Sequence, residues 1–292
     1  MNRSSTLETD KLDQYLDTVK HLPPTPTLML KLIGLFRQPE WNVDEIVPLL
    51  RQDPSLTVEV LRLCNSPFFG YESPVTDISE AVFRLGFYEL YRITMALSGL
   101  KTMSAARGAR GIQVESLWRH SAITAIVGGA LARDLGESEG IVFTAGLLHD
   151  VGRIVLASAE GDSYPDLLKQ HGRFGNALSN AERAAYGFNH GEVGARLLNR
   201  WNVPMEVAVP VLCHHEEMWL GPFERTAAIV NLANQMAHCI EDTEPEKPCE
   251  LPEAIPAMEL LKLAPADMPR LEQLARSDIK RLSSLYVTAT PA

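Results

Sequence analysis

Apolar residues recur three and four positions apart through almost the whole chain, and this spacing limits the folds open to it more than any other feature. Leu28, Leu32 and Leu35 form one such run, and Leu56, Val60 and Leu63 another, while strict alternation over five or more residues is hard to find. The pattern puts an apolar stripe on each of many helices and predicts an all-α fold. Local signals agree: Asn42 with Glu45, and Asp77 with Glu80, read as capping boxes ahead of apolar runs. Gly86, Gly136 and Gly187 read as helix stops, and Asp53-Pro54 as a cap followed by proline in the first helical position. Pro48 falls inside the helix that Asn42 opens, where the missing donor predicts a kink or an early end.

Composition breaks divide the chain. Leu22-Pro23-Pro24-Thr25-Pro26 follows a polar helix at about Leu7 to Lys20, and Ser104 to Gly111 reads Ser-Ala-Ala-Arg-Gly-Ala-Arg-Gly. Glu241 to Pro256 is rich in acidic residues and proline and reads as an exposed loop before the last helices. The expected organisation is an N-terminal helical extension (1–21), a first helical lobe (22–108), a second lobe (109–240), and an acidic loop with C-terminal helices (241–292). A chain of 292 residues buries enough surface to fold without a disulfide or a structural metal.

A formal net charge of −10 disfavours duplex DNA as a partner, since that binding depends on clustered Lys and Arg. Cys64, Cys213, Cys239 and Cys249 lie far apart and fit neither a zinc ribbon nor a secreted disulfide scaffold. The apolar run Ser121 to Ala132 is closed by charged or polar residues on both sides, and is shorter than the roughly 20 residues of a membrane span. The N-terminus is polar, so the expected location is the cytoplasm, with no export signal and no membrane partner.

Histidines are the sharpest chemical feature. Five of the eight, His120, His149, His190, His214 and His215, lie on or beside helices with an apolar face. His149 is followed by Asp150 in Leu147-Leu148-His149-Asp150-Val151-Gly152-Arg153, and an adjacent imidazole and carboxylate can offer a nitrogen and a bridging oxygen to metal ions. The other ligands must then come from other helices of a bundle core. Neighbours on a helix point about 100° apart, so only one of His214 and His215 is expected to face a single centre. An isolated histidine of this kind is more often a hydrogen-bonded core residue; it is the ordered set that points to metal. His120, His149, Asp150 and His190 would make a three-nitrogen, one-oxygen set for iron, manganese or zinc. Arg153 and Arg119 are the nearest groups able to help at a phosphate, with Asp150 and Arg153 the catalytic candidates; a helix-end ion pair is the plainer role for both arginines. Trp118, Trp201 and Trp219 are expected in the core.

The order His, His-Asp, His, His-His resembles the HD superfamily of metal-dependent phosphohydrolases, with Leu147 to Arg153 similar to its His-Asp-x-Gly-Lys variant and Arg153 in the basic place. Leu22-Pro23-Pro24, Gln52-Asp53-Pro54-Ser55-Leu56, Leu61 to Ser66 and Ile78 to Gly86 are similar to the first half of HDOD domains, the HD-related output domains of bacterial signalling proteins. The resemblance covers about Leu22 to Ala237. It implies a two-lobed, all-helical regulatory module, often without enzymatic activity. It also implies an aspartate on a late helix in active relatives, and Asn234 stands in that place. A neutral amide offers a weak oxygen and no charge, which weakens a site for two divalent ions. The Gly-Tyr-Pro signature of relatives that cleave cyclic di-GMP is absent; Ser163-Tyr164-Pro165 is no convincing substitute. The resulting expectation is a scaffold or ligand sensor with a protein partner and a vestigial or metal-binding site, open to a nucleotide ligand. The alternative is a metal-dependent phosphohydrolase acting on a nucleotide or cyclic dinucleotide through His120, His149, Asp150, His190 and His214 or His215.

Overall fold

The structure, a computed structural model, describes residues 3–38, 43–66, 69–105, 109–172, 175–243, 247, 251 and 255–287. Among these the chain is helical and contains no strand. The first half carries α1 (Arg3–Thr18), α2 (Thr27–Phe36), α3 (Val43–Arg51), α4 (Pro54–Cys64), α5 (Ile78–Leu85) and α6 (Phe87–Ser104). There follow α7 (Val114–Leu135), α8 (Glu139–Leu148), α9 (Val151–Ala159), α10 (Ser163–His171) and α11 (Gly175–Tyr186). The chain closes with α12 (His190–Arg200), α13 (Met205–Cys213), α14 (Glu224–Asp242), α15 (Pro256–Leu261) and α16 (Met268–Val287).

The helix ends follow from local chemistry. Asp53 caps α4 by accepting from the Leu56 amide at 3.1 Å, with Pro54 in the first turn, where it forfeits no bond. Asp77 caps α5 through the Ser79 amide, but Glu80 reaches back to the Thr76 amide, one residue before the position a capping box uses. Asn42 lies outside the described residues. Pro48 does not stop α3, which runs on to Arg51. Gly136 closes α7 at φ 72°, a left-handed turn that costs glycine nothing.

Helices α2 to α6 pack on one another, with α6 against α2, α4 and α5 and also against α7 and α8. In the second half α7 is central, touching α8, α14 and α16, while α12 lies against α9 and α13. The buried apolar side chains form one continuous cluster through both halves. Polar anchors cross the junction: the Tyr91 and Thr144 hydroxyls are 2.6 Å apart, and the buried Arg92 guanidinium lies over the rings of Tyr88 and Phe143. Trp118, Trp201 and Trp219 are buried, as expected. Phe69 and Tyr71 stack on each other, and Arg84 of α5 covers Tyr71, so this turn packs on its own half of the chain. One segment, Glu139–Ala159, is long and apolar enough to cross a membrane by length and composition, and 94% of its most apolar window is buried inside the fold.

Candidate metal centre

Four helix ends and the second turn of a long helix bring the histidines together. His120 lies in α7, His149 and Asp150 occupy the corner between α8 and α9, His190 opens α12, and His214 and His215 follow α13. The corner is fixed from both sides by glycine. A Cβ on Gly146 would lie 2.9 Å from the Ala125 Cα, and one on Gly152 only 2.0 Å from the His190 carbonyl oxygen. These close approaches let α8 meet α7 and α9 meet the start of α12.

Each imidazole has an acceptor at Nδ1, and His120 also has Asn234 Oδ1 2.9 Å from its Nε2. His149 Nδ1 donates to the Gly146 carbonyl at 2.7 Å, and His214 Nδ1 to the Val211 carbonyl at 2.7 Å. His190 Nδ1 donates to Glu182 Oε2 at 2.6 Å, and His120 Nδ1 to Glu241 Oε2 at 2.7 Å. His215 Nδ1 lies 3.2 Å from Asn176 Oδ1. With the protons on Nδ1, the Nε2 lone pairs turn inward. His190 Nε2 is 2.9 Å from His215 Nε2, 3.2 Å from His214 Nε2 and 3.3 Å from Asp150 Oδ1. His149 Nε2 lies 3.6 Å from the same oxygen and has no hydrogen-bond partner although it is buried. Lone pairs converging at such distances repel one another unless a cation lies between them, and holding Nδ1 from outside is how proteins orient histidine ligands.

The charge states fit this reading. Burial pushes the His149 imidazole down to about 4, with Asp150 opposing the shift. Burial and neighbouring histidines also take His214 and His215 well below the usual range, so all three are neutral and able to ligate at pH 7. Although burial pushes the Asp150 carboxyl upward, the Arg153 guanidinium and the surrounding imidazoles hold it well below the ordinary carboxylate value. Arg153 Nη1 donates to Asp150 Oδ2 at 2.7 Å, which leaves Oδ1 facing the histidines. Three groups of side chains have ligand atoms within 4.8 Å of one another: His190, His214 and His215; His120, His149 and Asp150; and His120, His238 and Glu241.

Three expectations change. Both His214 and His215 face the centre, because α13 ends at Cys213 and the 100° rule lapses once the chain leaves the helix. Arg119 is 65% exposed and meets Glu241 at the rim, so it does not reach the centre. Glu241, expected in an exposed loop, continues α14 and is half-buried or better on His120. Four residues at the site, His238, Glu182, Tyr164 and Glu241, are not among those expected there from the sequence. His238 stacks on the His120 ring at 4.0 Å, and Glu182, fully buried, holds His190 while accepting from the Tyr164 hydroxyl at 2.7 Å. His238 and Glu241 follow Asn234 by four and seven positions on α14, a helical spacing that was available in the sequence. Glu182 and Tyr164 come from α11 and α10 respectively, and no spacing links them to His190.

Residues 22–217 match the HDOD domain family, and the chain belongs to it. A Geobacter sulfurreducens HDOD domain protein superposes with a TM-score of 0.73 at 24% identity, covering 98% of this chain and 98% of that one. A Marinobacter aquaeolei protein described as a candidate for signal transduction gives 0.74 at 21% identity, over 96% of this chain and 64% of that one. These likenesses establish the fold. Among curated proteins, an uncharacterized Treponema pallidum protein is 29% identical over 206 residues, 68% of this chain and 38% of its own length. Ribonuclease Y of Acholeplasma laidlawii is 26% identical over 136 residues, 47% of this chain and 20% of that protein. The chain thus spans well under half the length of these curated relatives.

Proposed function

We propose that this chain is a regulatory module of a bacterial cytoplasmic signalling system, in which the histidine core holds one divalent ion, iron, manganese or zinc, and which acts by binding a protein partner and not by turnover. The observation that carries this reading is the division of Asp150: Oδ1 faces the imidazoles, while Oδ2 is taken by the buried Arg153 guanidinium. Arg153 is therefore committed to the ligand and is not turned toward a phosphate. Asp150, Arg153, His190, His215, Asn234 and His238 line a small hollow beside the centre.

A second reading is a metal-dependent phosphohydrolase acting on a nucleotide or cyclic dinucleotide. It is favoured by the His-Asp corner itself and by a Shewanella amazonensis protein described as a candidate metal-dependent phosphohydrolase, whose fold matches with a TM-score of 0.59 at 16% identity. Assay of the manganese- and iron-loaded chain on a generic phosphodiester, nucleotides and cyclic dinucleotides separates the two. The regulatory reading expects no turnover above that of Asp150→Ala; turnover lost in that folded variant would establish the enzyme. A nucleotide that binds without turnover would make the module a ligand sensor.

A further inference from the structure

We propose that Glu241, acting through His120, supplies the negative charge that Asn234 does not. The inference rests on reading the histidine core as a metal site, and it concerns a stretch of chain outside residues 22–217 that match the family. Asn234, His238 and Glu241 fall at successive turns of one face of α14. All three meet His120: Asn234 Oδ1 is 2.9 Å from Nε2, the His238 ring is stacked at 4.0 Å and 12°, and Glu241 Oε2 is 2.7 Å from Nδ1.

A carboxylate on Nδ1–H draws the proton outward and raises electron density at Nε2, so the imidazole becomes a stronger donor to a cation on its other side. The neutral Asn234 beside Nε2 gives neither charge nor a strong oxygen. The charge then sits one imidazole farther out, and His120 carries its effect inward. Glu241 is only 14% exposed at its side chain, so the contact is screened far less than a surface ion pair. His238 completes the arrangement. Its ring packs flat on that of His120, at 4.0 Å and 12°, and so helps to fix the orientation of that imidazole. Glu241 is thus a positioning residue for His120, and the end of α14 is part of the site.

The test is zinc(II) affinity of the full chain, measured in competition with a chromophoric chelator. Glu241→Gln keeps an acceptor for Nδ1–H and removes only the charge; affinity is expected to fall about 10- to 100-fold. Asn234→Asp in the same background returns a carboxylate beside Nε2 and is expected to recover most of that loss. Circular dichroism of both variants reports whether α14 persists. Unchanged affinity in a folded Glu241→Gln chain, or a loss that Asn234→Asp does not repair, would overturn the inference while leaving the metal site standing. A wild-type chain that binds no zinc, manganese or iron would overturn the metal reading itself.

Discussion

Gly152→Ala opposes two physical effects whose signs differ. Gly152 lies in the first turn of α9, where helix propensity alone favours alanine by about 1 kcal/mol. The added Cβ, however, would stand 2.0 Å from the His190 carbonyl oxygen and 2.7 Å from the Gly194 amide nitrogen, both backbone atoms that no rotamer can move. Reaching even a 3.0 Å separation requires α9 and the start of α12 to part by about 1 Å, and overpacking of this kind costs about 1–3 kcal/mol. Because His190 begins α12 and Asp150 precedes α9, the same movement separates two proposed ligands. Urea denaturation should therefore show net destabilisation, and metal affinity should fall with it. Gly34→Ala is the control: it lies in α2 with nothing within 4 Å of its would-be Cβ, and should be neutral or stabilising by up to about 1 kcal/mol. A Gly152→Ala chain as stable as Gly34→Ala, with unchanged metal binding, would refute the close approach of α9 and α12.

Two further outcomes follow from the buried charges. Arg153→Ala leaves Asp150 ionised in the interior without its partner and should cost about 3–5 kcal/mol in the metal-free chain, measured by urea denaturation; bound metal should recover part of this. His149 is lowered to about 4 in the folded chain and titrates near 6.5 when unfolded, so the unfolded chain binds more protons between these values. The stability that His149 contributes is therefore complete above about 6.5 and is lost as pH falls toward 4, with a slope of up to about 1.4 kcal/mol per pH unit, and His214 and His215 act in the same direction. Metal-free denaturation curves from pH 7 to pH 4 check this, and a flat profile would contradict neutral imidazoles.

Much of the fold was legible because helical periodicity and caps are local. The Asp53-Pro54 start, the Gly136 stop and the burial of three tryptophans all appear where the sequence put them. The His-Asp corner and the histidines were also legible, since each is marked by residue type. What escaped were the groups that hold them. Glu182 and Tyr164 reach His190 only through packing of α10, α11 and α12, and their sequence neighbours give no hint of it. Glu241 was hidden by the composition of the loop that follows, although its helical spacing from Asn234 was there to be read. One of His214 and His215 was set aside by a rule for continuous helices that does not apply past the end of α13.

The central claim is tested most directly by elemental analysis of the intact chain, purified without a His tag or chelator, beside His149→Ala combined with Asp150→Ala. About one equivalent of iron, manganese or zinc is expected in the intact chain and none in the folded double variant. An intact chain that carries no metal and takes up none on addition would contradict it, and would make the inward-facing imidazoles a packing arrangement alone.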